Sequence, residues 1–263
     1  MASTTKVRDL LYRVSVLLND SSPQFSRYPE REMVSALDDG QLAVFKYLPA
    51  SGSRIDAIKL QPGTRQSIGT ISAANCKPGD GTTPSAPVLG TQLLDVIRNM
   101  GDDGVTPGLP IRPTTRDVLD VNARNWHSST ALAVRSSVYN PQTPAYFYVF
   151  PGVPTDQDVW VEIAYTAQPT KIPNTGSPGA ELYPWEGAST TPISVSDEMV
   201  DTLVYYVAAR CTLKAGEGAD PMRAAQYTQL FIADINAKVT AITGNNPNLK
   251  MLPFAPEPIG AAS

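Results

Sequence analysis

The sequence predicts an α+β protein: a helical bundle built from both ends of the chain, with an inserted antiparallel β module and an extended C-terminal arm. Apolar residues recur at three- and four-residue spacing near both termini, which is typical of amphipathic helices. Short runs rich in aromatic and β-branched residues lie between them, and prolines punctuate the end of the chain. Because an amphipathic helix needs a partner for its apolar stripe, we expect the two ends of the chain to pack together.

The predicted boundaries follow the change from helical to β-type spacing. Residues 1–60 and 195–244 are expected to form the helical bundle, and residues 61–194 a β-rich insertion with long loops. The arm occupies residues 245–263. A chain of 263 residues, 42% of them hydrophobic, can bury a substantial core. Its 24 prolines have no collagen-like period, so we expect them in loops and extended segments.

The N-terminal helices are indicated by their spacing and by signals at their ends. The first follows the capping candidates Thr4 and Thr5 and ends at Asn19. The second begins near Pro29, which suits a first helical position, and ends before Pro49. Their predicted apolar stripes are Val7, Leu10, Leu11, Val14, Leu17 and Leu18, and Met33, Val34, Leu37, Val44, Phe45 and Leu48.

The middle of the chain is predicted to be β-structure. Residues 134–139, 145–150 and 159–165 are short aromatic and β-branched runs separated by turn dipeptides. A further strand at 55–60 runs into the turn at Pro62-Gly63. We expect the three central strands to form a small antiparallel sheet.

The remaining segments are two loops and two C-terminal helices. Residues 72–90 and 168–195 are rich in Gly, Pro, Ser and Thr without periodicity and are expected to be loops. A capping-box pattern precedes a helix predicted over residues 197–214. The last helix is predicted over residues 221–243, with Gly244 as its stop.

Charge and cysteine content argue against several classes of protein. The 21 Lys and Arg against 25 Asp and Glu give a net charge of −4, which disfavours broad binding of nucleic acid or anionic membranes. Cys76 and Cys211 have neither disulfide-framework nor metal-site spacing, which favours a reducing compartment. Charged residues interrupt the apolar N-terminus and no later run has membrane-spanning length. We therefore expect neither a signal peptide nor a transmembrane helix.

No catalytic constellation is evident in the sequence. His127 is the single histidine, and neither a nucleophile elbow nor a phosphate-binding loop accompanies it. Aspartate pairs such as Asp38-Asp39 and Asp102-Asp103 lack the other ligands of a calcium site and are expected to be solvated. We predict no catalytic, cofactor or metal site, and hence no enzyme.

A group of arginine and aromatic residues in the middle of the chain predicts an interface. Aspartates are interleaved with Arg98 and Arg116, so ion pairs within or between subunits explain these residues better than DNA binding. Trp126 and His127 are interpreted as packing or interface residues. These four residues form the predicted subunit or tail interface. The aromatic run 146–148 could stack sugars or bases, although strand alternation predicts that at least one of its members is buried.

The C-terminal arm combines large apolar residues with prolines that prevent a helix. Such a segment needs a groove, either on a partner or on its own bundle. Its apolar residues are Leu249, Met251, Leu252, Phe254 and Ile259.

Several short sequence blocks, taken together in the order in which they occur, resemble the sequence pattern of a known protein family. They are Leu60–Gln66, Leu94–Asn99, Arg116–Asp120 followed by Trp126-His127, Tyr139–Pro141, Tyr146–Pro151, Val161–Tyr165 and Leu203–Arg210. In this succession, over residues 5–240, the chain resembles a family of tailed-bacteriophage head-to-tail adaptor proteins, similar to adaptors of the tail tubular protein A type. The loops 72–90 and 168–195 and the arm depart from the family pattern.

The resemblance implies a structural virion protein at the head-tail junction, present in the host cytoplasm during assembly. Its partners would be the portal protein, a tail nozzle or tail tube protein, and further copies of itself in a ring of twelve subunits. The genome would pass through the lumen without sequence-specific binding, and no membrane is involved. The arm is not part of the family pattern, but its apolar residues could anchor such a ring on the portal.

Two other functions remain open. The chain could be a tail accessory whose β module binds carbohydrate through its aromatic residues. It could also be an adaptor with an additional cell-wall-degrading activity, which would require a carboxylate with a raised pKa in a cleft.

Overall fold

The computed structural model describes residues 4–20, 28–79, 87–172, 191–214 and 220–244. Within these ranges the chain is a mixed α+β protein with five α-helices, and its nine strands form one sheet of five strands and one of four. The expected fold class, a bundle of terminal helices carrying a small β module, is therefore wrong. The described chain is strand-rich, and its sheets enclose a large core of their own.

The described residues form two compact units. The β unit comprises the described residues of 49–172 and 193–196, and the helical unit those of 4–48, 191–192 and 197–244. The helices are α1 (Val7–Leu17), α2 (Glu30–Tyr47), α3 (Arg116–Asn122), α4 (Val200–Thr212) and α5 (Pro221–Gly244). Helix α3 belongs to the β unit, and the other four belong to the helical unit.

Helix α4 is the central element of the helical unit, because it packs against α1, α2 and α5. The buried residues of each helix recur at helical spacing, as the amphipathic pattern requires. In α5 they are Ala224, Tyr227, Phe231 and Ile235. Among the described residues, no helix combines the length and the apolar content that crossing a bilayer requires.

Gly40 allows a close approach between α2 and α4. A Cβ atom at this position would lie 2.9 Å from Cδ1 of Tyr206 and 3.3 Å from Cδ2 of Leu203. The glycine reduces the intrinsic helix propensity of α2, but it leaves room for the Tyr206 ring.

The sheets of the β unit are almost entirely antiparallel. The five-stranded sheet has the order β3 (Cys76–Pro78), β1 (Ser53–Lys59), β9 (Trp160–Ala167), β4 (Gly90–Met100) and β5 (Pro107–Pro110). The four-stranded sheet has the order β2 (Gly63–Ser67), β8 (Tyr146–Val153), β7 (Ser136–Tyr139) and β6 (Arg112–Pro113). Of these neighbours, β6 and β7 are parallel.

The two sheets share one hydrophobic core. Alternate residues of β9, namely Val161, Ile163 and Tyr165, are fully buried in this core, as are Phe147 and Val149 of β8. A period of two is expected for strands that bury one face. Sheets that share an inner core in this way form a β-sandwich.

The strand content exceeds the expectation because several strands lack the usual sequence signals. The pairing of β4 with β9 shifts register at three places, so the apolar residues of β4 do not alternate regularly. Strands β5 and β6 are short, proline-containing edge strands. Strand β3 and a bridge between Ile71 and Val88 lie in the segment 72–90 or at its border, where composition indicated a loop. Residues 80–86 of that segment lie outside the described residues.

The turn between β1 and β2 passes from one sheet to the other and is held by a buried glutamine. Oε1 of Gln66 accepts a hydrogen bond from the N–H of Gln61 at 2.7 Å. Nε2 of Gln66 donates to the carbonyl oxygens of Gln61 (2.7 Å) and Gly63 (3.1 Å). Gly63 has a φ of 97°, in the region that favours glycine. The block Leu60–Gln66 thus encodes a specific connection between the sheets.

Asn99 makes a second connection between the sheets. Nδ2 of Asn99 donates hydrogen bonds to the carbonyl oxygens of Leu109 (3.0 Å) and Val134 (2.7 Å). Oδ1 of Asn99 accepts the N–H of Val134 at 2.8 Å. One buried side chain of β4 therefore fixes both β5 and the segment that leads into β7.

Candidate assembly interface

The structure brings three of the four predicted interface residues together around a buried tryptophan. Trp126 is 2% exposed, and its Nε1–H donates to Oδ1 of Asp120 at 2.8 Å. Asp120 also forms an ion pair with Arg116, which lies one helical turn earlier; Nε of Arg116 is 3.4 Å from Oδ2 of Asp120. The exposed ring of His127 stacks on Trp126 with centroids 3.6 Å apart. Arg116, Trp126 and His127 therefore form one connected cluster.

This cluster rests on the outer face of the four-stranded sheet. Trp126 packs with Leu119 of α3 and with Val138 of β7 in a small hydrophobic cluster separate from the main core. Its ring also meets Tyr148 of β8 edge to face, with centroids 6.0 Å apart. Because Trp126 fixes α3 against the sheet, the opposite side of α3 is held in a defined position at the surface.

The outer side of α3 is apolar although it is exposed. Val118 and Val121 lie on one side of the helix at i, i+3 spacing and are 48% and 78% exposed. Leu132, in the loop before β7, is also exposed. Exposed apolar residues that are grouped on a rigid element are typical of interaction sites.

Three exposed arginines occur in the same part of the chain as α3. Arg112, Arg124 and Arg135 are exposed and form no ion pair within the described residues. Arg112 is close to Arg135, since the backbone N–H of Arg112 donates to the carbonyl oxygen of Arg135 at 3.1 Å. Residues 111–154 contain four arginines and two aspartates, so this part of an acidic chain is locally positive.

Arg98 is placed apart from the other three predicted interface residues. It lies in β4 of the five-stranded sheet, opposite Glu162 of β9. Nη2 of Arg98 donates to Oε1 of Glu162 at 3.1 Å, and its Nε lies 2.7 Å from Oε2 as an ion-pair contact. An arginine engaged in this way by a half-buried carboxylate has a structural role within its own sheet. The predicted arm residues, Leu249, Met251, Leu252, Phe254 and Ile259, lie outside the described residues.

The aromatic run on β8 alternates as the sequence predicts. Phe147 is fully buried, whereas Tyr146 and Tyr148 lie on the outer face of the sheet and are partly exposed. Arg65 of the edge strand β2 pairs with Tyr148 in register, and Ser67 with Tyr146. The prediction that at least one of the three aromatic residues is buried is confirmed.

A buried polar network that the sequence did not reveal lies inside the β unit. The Asp56 carboxylate accepts the hydroxyl of Tyr165 (2.7 Å) and the thiol of Cys76 (3.7 Å), and lies 3.2 Å from Nε of Arg54. Burial, with the negative charge of Asp56, raises the pKa of Cys76 to about 12 and raises the pKa of Tyr165. Both groups stay protonated near neutral pH, which suits donors that satisfy a buried carboxylate.

Glu30 is a second buried acid that the sequence did not single out. It is the first residue of α2 and is 7% exposed, and neither of its carboxylate oxygens has a hydrogen-bond partner among the described residues. Burial raises the pKa of the Glu30 carboxyl to about 7. An acid in the first turn of a helix is usually solvated, so the sequence pattern carried no signal for this burial.

The described residues contain no group of three or more His, Cys, Asp or Glu side chains placed to hold a metal ion.

The sequence model of the SU10 adaptor protein family matches residues 5–249 of the chain. The comparison with curated proteins found no match. The family match confirms the expectation of a phage adaptor, and an adaptor family implies a structural role in the virion together with other virion components.

Proposed function

Because the chain belongs to the SU10 adaptor protein family, we propose that it joins the portal to the tail of a tailed phage as a ring-shaped adaptor. The observation that carries this proposal is the extent of the match, which runs over residues 5–249 and so includes both compact units. The exposed apolar side of α3, held in place by Trp126, supports it because an assembly protein needs a preformed contact surface.

The proposed ring has twelve copies and a lumen through which the genome passes, in the manner of tail tubular protein A-type adaptors. Subunits in such a ring make heterologous contacts, which close when the rotation closes. A net charge of −4 suits a conduit, since a strongly basic lumen would retain DNA instead of releasing it. The tail nozzle or tail tube protein would bind the opposite face of the ring from the portal.

The proposed portal contact is the C-terminal arm. Burial of each large apolar side chain contributes on the order of 1.5–3 kcal/mol before ordering costs, and a ring repeats the contact in every subunit. A chain truncated after Thr243 should keep its melting temperature and lose binding to portal-bearing particles. Normal binding by the truncated chain, or its unfolding, would assign the arm another role.

The test of the adaptor function uses heads that carry the portal but lack this protein. Purified protein added to such heads should bind at the portal vertex and appear by electron microscopy as an added ring. Heads that lack their portal are the control and should take up none. Absence of binding to portal-bearing heads, or equal binding to both kinds of head, would refute the proposal.

The exposed tyrosines of β8 favour carbohydrate binding as a second candidate function. Tyr146 and Tyr148 offer two aromatic rings on one sheet face, with the Arg65 guanidinium opposite Tyr148. If this face binds host glycans, the full chain should bind a glycan array, and the Tyr146→Ala/Tyr148→Ala variant should not. Absence of binding by the unmodified chain would remove this candidate.

Cell-wall degradation would require an acid that reaches substrate. Glu30 has the raised pKa of such an acid, but its carboxylate oxygens are inaccessible to solvent. The described carboxylates therefore do not favour this activity, and a peptidoglycan zymogram with the purified chain would test it directly.

A further inference from the structure

The β unit carries a second charged surface. This surface is negative, whereas the exposed arginines near α3 are positive. Two loops that border the five-stranded sheet contain four aspartates: 101–106 connects β4 to β5, and 154–159 leads from β8 of the other sheet into β9. Both loops lie at the same end of that sheet, because Met100 at the end of β4 pairs with Trp160 at the start of β9. We call the residues 101–106 and 154–159 the aspartate loops.

The nearby lysines do not neutralise all of these aspartates. Lys59 pairs with Asp158 at 2.7 Å. Lys77 lies over the Trp160 ring, 4.6 Å from its centroid, and donates to the backbone carbonyl of Asp103. Asp102 and Asp156 are exposed and have no ion pair in the part of the chain that the structure describes.

The 101–106 loop is held in a defined conformation by hydrogen bonds to Asp103 and by its contact with Trp160. Oδ1 of Asp103 accepts the N–H groups of Val105 and Thr106 at 2.9 Å each, and Oδ2 accepts the Thr106 hydroxyl at 2.9 Å. Gly104 has a φ of 65° and sits against the Trp160 ring, where a Cβ would be 2.8 Å from Cδ2. The loop that carries Asp102 is therefore closed on itself and seated on β9.

The opposite surface is the α3 face, which we define as the exposed residues Arg112, Val118, Val121 and Arg124; Asp117, one helical turn before Val121, is the exposed acidic residue beside it. It combines exposed valines with arginines, and Arg112 and Arg124 have no ion-pair partner within the described ranges. The α3 face belongs to the outer side of the four-stranded sheet, and the aspartate loops belong to one end of the other sheet. The two surfaces are distinct patches of the same β unit.

We propose that the α3 face of one copy of this chain docks on the aspartate loops of the next copy. The occupant is a second copy because each β unit carries both members of a complementary pair, free arginines on one patch and free aspartates on another. Two different patches on every subunit make a heterologous contact, the kind that builds a ring. This inference rests on the proposed adaptor function and names the surfaces through which its ring closes.

The contact is tested by reversing the charge on each side of it. Arg112→Glu/Arg124→Glu reverses the α3 face, and Asp102→Lys/Asp156→Lys reverses the aspartate loops. Because all four side chains are exposed and unpaired within the described residues, the variants should keep the circular dichroism spectrum and melting temperature of the natural chain. Each variant alone should lose at least tenfold in self-association by sedimentation velocity at low salt, and in ring formation on portal-bearing heads.

Restoration of the contact is the decisive step. In an equal mixture of the two reversed variants, each acidic α3 face can meet basic loops and each natural α3 face can meet natural loops, so alternating rings should form again. The chain that carries all four substitutions should also assemble alone. Arg31→Glu/Lys46→Glu, on exposed positions of α2, changes the net charge by the same amount as Arg112→Glu/Arg124→Glu; it is the control for that variant and should assemble normally.

The outcomes separate this contact from the adaptor function itself. If the natural chain forms rings on portal-bearing heads and the reversed variants do so equally well, the proposed contact is wrong and the adaptor function stands. The contact is also wrong if each variant fails and the mixture fails with it. If the natural chain does not bind these heads, the proposed function fails first.

Discussion

Substitution of the buried Glu30 by glutamine should stabilise the protein relative to the natural chain, and this gain should be larger at alkaline pH than at acidic pH. In the folded state the Glu30 carboxyl has a pKa of about 7, against 4.5 for a solvated glutamate. Between these values the folded state binds more protons than the unfolded state, so stability falls as pH rises through this window. This loss of stability in the natural chain is complete above about pH 7 and absent below about pH 4.5.

The size of the effect follows from the same two pKa values. The difference between 4.5 and about 7 corresponds to about 3 kcal/mol at most, since one pKa unit is about 1.4 kcal/mol. Water penetration and relaxation around the charge reduce this value, and the loss of a favourable charge at the helix N-terminus offsets up to about 1 kcal/mol. We expect Glu30→Gln to stabilise the protein by about 1–3 kcal/mol at pH 8.5 and by less than about 1 kcal/mol near pH 4.5.

The assay is urea unfolding followed by far-ultraviolet circular dichroism at several pH values between 4.5 and 8.5. Glu32→Gln is the control, since Glu32 lies in the same helical turn but is exposed and paired with Lys214 at 2.7 Å. The change in free energy of unfolding caused by Glu32→Gln should stay within about 1 kcal/mol and should not grow as pH rises. A stability difference between Glu30→Gln and the natural chain that is flat with pH would refute the reasoning. A Glu30 carboxyl resonance that titrates near 4.5 would do the same.

Three further predictions concern the β unit and are measured by thermal or urea unfolding. Gln66→Leu removes three hydrogen bonds from the β1–β2 connection and should cost about 2–4 kcal/mol; a loss below about 1 kcal/mol would show that the turn holds without the side chain. Trp126→Phe deletes the donor to Asp120 and part of the ring, so a loss of about 1–2 kcal/mol is expected with α3 otherwise in place, and an unchanged stability would contradict the packing. Backbone N–H groups of Thr106 and Val105, with the Thr106 hydroxyl, lower the pKa of Asp103 to about 2, so its stabilising effect is present above about pH 4 and lost as pH falls through 2. The difference in melting temperature between the natural chain and Asp103→Ala should shrink over that window, and a constant difference would argue against the ionised cap.

The amphipathic helices and the central strands were predictable because they show clear periodicity. Helix α1 begins at Val7 and α2 ends at Tyr47, close to the predicted limits, and Pro49 follows the end of α2. The expected capping by Thr4 and Thr5 is wrong, because the N-cap of α1 is Lys6, which makes no side-chain capping bond, and both threonines bind Asp197. The run 134–165 was recognised as β-structure for a similar reason, since β8 and β9 bury alternate residues and the strands are separated by turns. The expectation that its three strands form one antiparallel sheet is wrong, because β7 and β8 belong to the four-stranded sheet and β9 to the five-stranded sheet. Patterns that repeat along one element are visible in a single sequence.

The second half of the sandwich was not predictable, because its stability comes from contacts between distant segments. Strand β4 is recognisable only through its irregular pairing with β9, more than sixty residues later. The burial of Asp56 depends on Tyr165 and Cys76, which reach it from two other strands. Of the predicted interface residues, Trp126 and His127 were identified by type, whereas the separation of Arg98 from Arg116 depends on the tertiary fold, which places Arg98 in β4 and Arg116 in α3.

The edge strands of the β unit bear on how copies of this chain can associate. Strand β5 begins and ends with Pro107 and Pro110, and β6 ends with Pro113, so these positions have no N–H to donate. Sheet extension from copy to copy at these edges is therefore disfavoured, which is a common protection against open-ended aggregation. Association through side chains of the α3 face and the aspartate loops avoids these edges. In the proposed ring, such a contact would also set the angle between copies by charge and shape, as ring closure requires.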